Sequence, residues 1–327
     1  MTSAVFDVAT IVGALDQIDA HLGSAVGWHP SGRPQARLLE WRGKLAAEVA
    51  RLRHLDGRAS GDADELNRFM SERGFAFRFD PLTPPDFGAA STLREATSWP
   101  APGTSVPVRA GGRDYRGFIL ADRSLDGHSL ADGRTLVSMP RLVADTSLVW
   151  LLLGDRLPDG SDGFELFEAA RAALADRSTG ERLRLATVTM PEVRLSATNQ
   201  LEWLRGLAGD GAQIRQAVQE ADLRIDRTGS EAVVATAIAA QSAGFYGLVR
   251  DLTVDRPFIA FWTDDAATTL PLAVGRFDYD TWSDWDSDRA DKENAELVKA
   301  EEAARAAELA GKGSGRPSLV RRLLGRK

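Results

Sequence analysis

Few stretches of this 327-residue sequence carry residue types that could do chemistry. Gly127-His-Ser-Leu-Ala131 has the spacing of a nucleophile elbow, in which a strained strand-to-helix turn presents a serine hydroxyl. The elbow needs a strand before the serine and a helix after it. Here Leu125-Asp-Gly precedes and Ala131-Asp-Gly133 follows, both turn signals. Ser129 is therefore expected at a surface turn, and a hydrolase using it is the remote alternative. His21, His29 and His54 show no ligand spacing. Asp284-Trp-Asp-Ser-Asp288 starts like a calcium loop, but Arg289 stands at the sixth position and Ala295 at the twelfth. There are no cysteines, which excludes disulfides, thiolate metal sites and a cysteine nucleophile. No phosphate-binding or dinucleotide fingerprint is present, and Gly311-Lys-Gly-Ser-Gly315 follows no strand and so suits a linker. The expectation is no metal, no cofactor and no enzyme.

The most specific pattern is of a different kind, a turn followed by a run that could be helix or strand. In Glu220–Asp226, Ala221, Leu223 and Ile225 alternate with Asp222, Arg224 and Asp226, as in a strand. Thr228-Gly229 is a turn. The residues after it are small or β-branched, with no proline and one charge, Glu231. As a helix this run is Ala-rich and acceptable. As a strand it sets Ser230, Ala232, Val234, Thr236, Ile238, Ala240 and Ser242 on one face, and Glu231 and Gln241 on the other. Such a segment is a loop able to join a sheet.

Gly229, Ser230, Glu231, Ala232, Val233, Val234, Ala235 and Thr236 together resemble the proximal hinge of the serpin reactive-centre loop. Arg256-Pro257-Phe258-Ile-Ala-Phe261 and Leu270-Pro271-Leu272-Ala-Val-Gly275-Arg276-Phe277 resemble the two C-terminal serpin strands, in serpin order. Upstream, the apolar run Thr146–Leu153, the turn Arg156-Leu-Pro-Asp-Gly160 and a helix capped by Asp162 also have serpin counterparts. So do a long strand Leu183–Leu195 with Met190-Pro191, and a short helix opening near Asn199. The resemblance covers about residues 146–278. It implies an α+β serpin-like fold, with a central mixed or antiparallel sheet, a second β-sheet and flanking helices. It implies inhibition of a serine protease: the protease cleaves the loop, and the hinge inserts into the main sheet as a new strand.

Counting from the hinge glycine, as the resemblance implies, sets the scissile bond near Ala243–Gly244. Counting back from Pro257 sets it near Tyr246–Gly247. Ala243 would suit an elastase-like protease, and Phe245 or Tyr246 a chymotrypsin- or subtilisin-like one. The bait region is thus Ala243, Gly244, Phe245, Tyr246 and Gly247. Several family features differ. Gln219 stands where serpins usually have a histidine, and Arg227 where an acid is common. No Trp-bearing strand is evident beside the hinge, and Asp278-Tyr279 replace a proline after the last strand. The alternative is a non-inhibitory serpin-fold scaffold that docks through its tail.

Three regions are expected to position these pieces. Residues 1–100 are helix-rich, with apolar stripes over 4–22 and 36–53 and a shorter helix over 62–73. Phe75, Phe77 and Phe79 alternate like a strand, and the six prolines of 80–107 suggest a long connection. Residues 101–281 form the β-rich core with the loop 229–255. Residues 282–327 form an Ala-rich charged helix and a basic tail; the six cations of 312–327 leave −13 on the rest of a chain whose net charge is −7. That acidic body argues against nucleic acid. The tail 316–327, with Leu319, Val320, Leu323 and Leu324 beside arginines, suits an acidic partner or an anionic membrane surface. The first residues lack a secretory pattern, so a cytoplasmic location is the expectation.

Overall fold

The computed structural model describes residues 3–83, 85–142, 144–210, 212–231, 250–264 and 267–313. β1 (Ala4–Phe6) leads into α1 (Val8–Leu22) and α2 (Arg33–Val49). The Asp7 carboxylate accepts from the Ala9 and Thr10 amides to start α1, and Gly23 ends it at φ 72°. Next come β2 (Leu55–Ser60), α3 (Ala63–Glu72), β3 (Gly88–Leu93), β4 (Thr97–Ser98), β5 (Thr104–Ala110) and β6 (Arg113–Ala121). β7 (Asp126–Ser129), β8 (Thr135–Ser138) and β9 (Ser147–Leu153) precede α4 (Gly163–Asp176), which Asp162 caps. β10 (Glu181–Pro191), β11 (Val193–Gln200), the short pair β12 (Ala208–Gly209) and β13 (Ala212–Gln213), β14 (Val218–Asp226) and β15 (Gly229–Glu231) follow. β16 (Arg250–Thr253), β17 (Phe258–Asp264), β18 (Ala267–Phe277) and α5 (Ser287–Gly313) complete the described chain.

One 10-stranded sheet runs β1-β18-β17-β9-β8-β7-β10-β6-β5, with β16 laid parallel on β10. β10 is its seam: Glu181–Arg184 pair with β7, and Thr187–Pro191 pair with β6. From Leu148 on, β9 is apolar because both its faces are covered. Val149 and Leu151 point into the main core, whereas Trp150 and Leu152 pack in the cluster that also holds Leu166 and Ala170 of α4. A second sheet has the order β11-β14-β15-β4, and β2 pairs with β3. Residues before 101 belong to these same sheets, since β1 pairs with β18 and β4 with β15.

Four expectations are corrected. The segment Phe75–Phe79 is not a strand. Its alternate phenylalanines pack on Phe69 and Met70 of α3, Phe75 N donates to Met70 O at 3.1 Å, and three further backbone donors go to side chains. Ala76 N and Phe77 N bond the Glu220 carboxylate, and Phe79 N bonds Asn67 Oδ1. The proline-rich stretch 80–107 is no bare connection, since it contains β3, β4 and the start of β5. Leu183–Leu195 is two strands in two sheets, broken at Glu192. Asn199 lies within β11, and only a 3₁₀ turn, Glu202–Leu204, follows.

Candidate functional site: a hinge and an open sheet edge

β14 and β15 form the hairpin around which the candidate site is built. Asp226 Oδ1 accepts from Thr228 N and Thr228 Oγ1 at 2.7 and 2.6 Å, which fixes the turn. β15 then lies between two antiparallel neighbours: Arg224 pairs with Glu231 and Ile225 with Ser230 on one side, and Gly229 with Ser98 and Ser230 with Thr97 on the other. A Cβ at Gly229 would stand 2.4 Å from the Thr97 carbonyl oxygen, so this close approach requires glycine. Ser230 is buried, and its hydroxyl accepts a 3.0 Å bond from the Trp262 indole of β17. Trp262 is itself one of the largest fully buried side chains.

A tryptophan does stand beside the hinge, contrary to the sequence reading. Trp99, directly after β4, donates its indole N–H to Asp226 O at 2.8 Å and its amide to Thr228 O at 3.2 Å. Gly103 N reaches Arg227 O at 2.6 Å. Sequence inspection missed Trp99 because it sits among prolines; the one signal available was an isolated aromatic at the end of Thr97-Ser98.

Below this pinned turn the sheet is open. β14 pairs with β11 along its whole length, from Ile225–Val193 to Val218–Gln200. On its other edge only Arg224–Asp226 have a strand partner among the described residues. Among the described residues β3 pairs with β2 by one edge alone. A cavity of about 1280 Å³ lies along both strands, with Gly88–Leu93 on one side and Val218–Leu223 on the other. Its floor is α1, through Thr10, Ile11 and Ala14, with Trp262 at the hinge end. Its roof is the chain following α3, anchored on Glu220.

Gln219, in the position where serpins usually have histidine, is buried and tied to the α1 cap. Its Nε2 donates to Asp7 O at 2.7 Å and Thr10 Oγ1 at 3.2 Å, while its Oε1 accepts from Asp7 N at 3.1 Å. Two buried acids line the same cavity. Burial pushes the Glu95 carboxyl from 4.5 up to about 7, against the pull of the Ser147 hydroxyl bonded to it and with the help of nearby Asp264 and Asp7. Burial likewise raises Asp7 to about 6, although the Thr10 and Ala9 amides favour its charged form.

Of the expected site residues, Gly229, Ser230 and Glu231 form β15. Ala232, Val233, Val234, Ala235 and Thr236, and the bait Ala243, Gly244, Phe245, Tyr246 and Gly247, lie outside the described residues. The chain re-enters at β16, where Arg250 pairs with Leu185 of β10. The elbow reading of Ser129 meets a contrary geometry. Ser129 ends a strand, pairs with Thr135 and Glu181 on either side, and is followed by a hairpin turn instead of a helix. The calcium reading gains nothing, since no cluster of metal-ligating side chains occurs among the described residues. Nor is any described helix long and apolar enough to cross a membrane.

This arrangement of two sheets, hinge hairpin and split sheet is the serpin fold. No protein-family model and no curated protein sequence matches the chain. Solved structures do. Uncleaved ovalbumin superposes with a TM-score of 0.52 at 14% identity, covering 84% of this chain and 92% of that one. A serpin from the trematode Schistosoma haematobium gives 0.50 at 12% identity, covering 84% and 93%. Human thyroxine-binding globulin in complex with its hormone gives 0.50 at 12% identity, covering 84% and 91%. The likeness therefore reaches beyond residues 146–278 into the N-terminal hundred, and it establishes the fold.

Proposed function

We propose that the chain inhibits a serine protease by loop cleavage and strand insertion, the cleaved hinge entering the space between β14 and β3. The carrying observation is the half-open edge of β14, where β15 has begun a strand that the cavity leaves room to finish. The register supports it. In an inserted form the register continued past Arg224–Glu231 would set Ala232 opposite Leu223, Val234 opposite Ala221 and Thr236 opposite Gln219, on the face of buried Ser230. These are small or β-branched side chains, so the inserted strand would bring no charge inward. Glu231, Val233 and Ala235 would then take the opposite face. The bait at 243–247 suits an elastase-, chymotrypsin- or subtilisin-like protease.

The test is incubation with elastase, chymotrypsin and subtilisin, read on denaturing gels and by melting temperature. Inhibition predicts a complex that survives boiling and a sharp rise in melting temperature of the cleaved chain. Val234→Glu, which turns a charge inward, is expected to be cut equally well and to lose both. Cleavage with neither complex nor rise in the unmodified chain overturns the proposal and leaves the scaffold alternative.

A further inference from the structure

The chain does not stop where its last sheet strand ends. After β18, Trp282 bridges to Val193 and Asp284 to Tyr115, so the connection is stitched across the β6 and β11 junction. Arg116 N donates to Ser283 O at 2.8 Å, and Ser283 N to Glu192 O at 3.0 Å. α5 starts immediately afterwards and lays its first turns on β5, with Ala290 buried. Asn294 treats Ser105 as a strand neighbour would: its Oδ1 accepts from Ser105 N at 2.9 Å and its Nδ2 donates to Ser105 O at 3.0 Å.

One turn of α5 gathers an ion cluster at this place. Glu293 Oε2 accepts from Arg116 Nη2 at 2.5 Å and from the Ser105 hydroxyl at 3.0 Å, and stands 3.4 Å from Arg227 Nε. Arg289 reaches its other oxygen at 3.1 Å. Arg116 is buried and also pairs with Glu192 at 2.6 Å. Burial alone would raise the Glu293 carboxyl, but the Arg116, Ser105 and Arg289 bonds bring it down to about 2. Its half-buried charge is thus matched, and removing it would leave Arg116 with Glu192 alone and take from Arg227 this carboxylate in a partly dry site.

The position of Arg227 gives this cluster its meaning. It lies in the turn between β14 and β15, two residues before Gly229, and its carbonyl already holds Gly103. The turn carries a cation, and α5 supplies the acid that faces it.

We propose that α5 is a latch on the hinge: Glu293 holds Arg227 and Arg116 so that the β14–β15 turn stays seated on β4 and β5, and displacing α5 frees the hinge. The seating is a contact of the intact chain. Only its consequence, faster strand insertion after cleavage, rests on the inhibitory reading above.

Hydrogen exchange on the full chain tests it, comparing the native protein with Glu293→Gln and with Glu296→Gln, an exposed position on the same helix. The peptides read are 97–105 and 218–231, with 147–153 of β9 as the internal reference. Glu293→Gln is expected to speed exchange in the two hinge peptides at least ~10-fold, with β9 unmoved, and Glu296→Gln to change nothing. Equal exchange in all three proteins overturns the latch, as does an acceleration that β9 shares. Should Glu293→Gln fail to fold, Asn294→Ala loosens the same helix without stranding a cation and should show the same effect, smaller. Melting temperature after protease cleavage is read on the same samples. A faster hinge without a post-cleavage rise supports the latch and overturns insertion; a rise with an unchanged hinge does the reverse.

Discussion

The two ends of one β14 edge could hardly differ more. At the turn end, Asp226 to Ser230 are held by Trp99, Gly103, Thr97, Trp262 and, through Arg227, Glu293. At the far end, Val218 to Leu223 face a cavity and have no strand partner on that side among the described residues. A sheet that was merely loose would fray at both ends. This one is tight at the turn and open beyond it. On the inhibitory reading proposed above, the starting register would be fixed before the cut, which matters because a slip of one residue exchanges the two faces of an added strand.

Mutations can break this contrast in order of size. Trp262→Ala removes a fully buried indole and the donor to Ser230, and is expected to cost about 3–5 kcal/mol in urea denaturation. Hinge peptides should exchange faster in the same variant. A loss below about 1 kcal/mol would mean the hinge is not held from β17.

Glu95→Gln sharpens the contrast through pH. The Glu95 carboxyl titrates near 7 in the folded chain, above its ordinary 4.5. The folded state then keeps a proton that the unfolded state loses. Stability present below pH 4.5 is therefore lost as pH rises toward 7, by on the order of 3 kcal/mol. Glu95→Gln should flatten that part of the stability profile and leave the variant the more stable protein at pH 8. An unchanged profile would sink the assignment.

Gly229→Ala attacks the tight end directly, driving a methyl against the Thr97 carbonyl, and should cost about 1–3 kcal/mol in melting experiments. The smallest effect is expected at the outer surface of β14. There Arg194 and Asp222 pair at 3.0 Å while both are more than half exposed, so Arg194→Ala should change stability by less than about 1 kcal/mol.

How much of this was written in the sequence follows the physics of each part. α1, α2, α3 and α4 announce themselves by apolar period and caps, and β14 by alternation, since each buries one face. β9 announces itself by a continuous apolar run, since both faces are buried. β3 does not: Gly88-Ala-Ala-Ser-Thr-Leu93 is made of small residues because α1 approaches it closely, Gly13 lying against Ser91. A strand without bulk beside prolines leaves no pattern. Glu95, Trp99 and Glu293 were silent for another reason. Each acts through a partner far away in the chain, Glu95 on Ser147, Trp99 on Asp226 and Glu293 on Arg116. Nothing local marks Glu293 among the other acids of an Ala-rich helix. β15 begins at Gly229, the first residue of the run that resembles a hinge, and Ala232 to Thr236 of that run lie outside the described residues.

The pairing of β1 with β18 carries a consequence for biosynthesis. Ala4 lies beside Arg276 and Phe6 beside Val274, so the edge of the large sheet joins strands about 270 positions apart. During synthesis at a ribosome β1 has no mate in this sheet until β18 has emerged. Non-local pairings of this kind make for slow folding, with strand edges and apolar surface exposed meanwhile. β1 therefore stays unpaired until β18 has been made, and a stall between the two leaves a bare strand edge on the nascent chain.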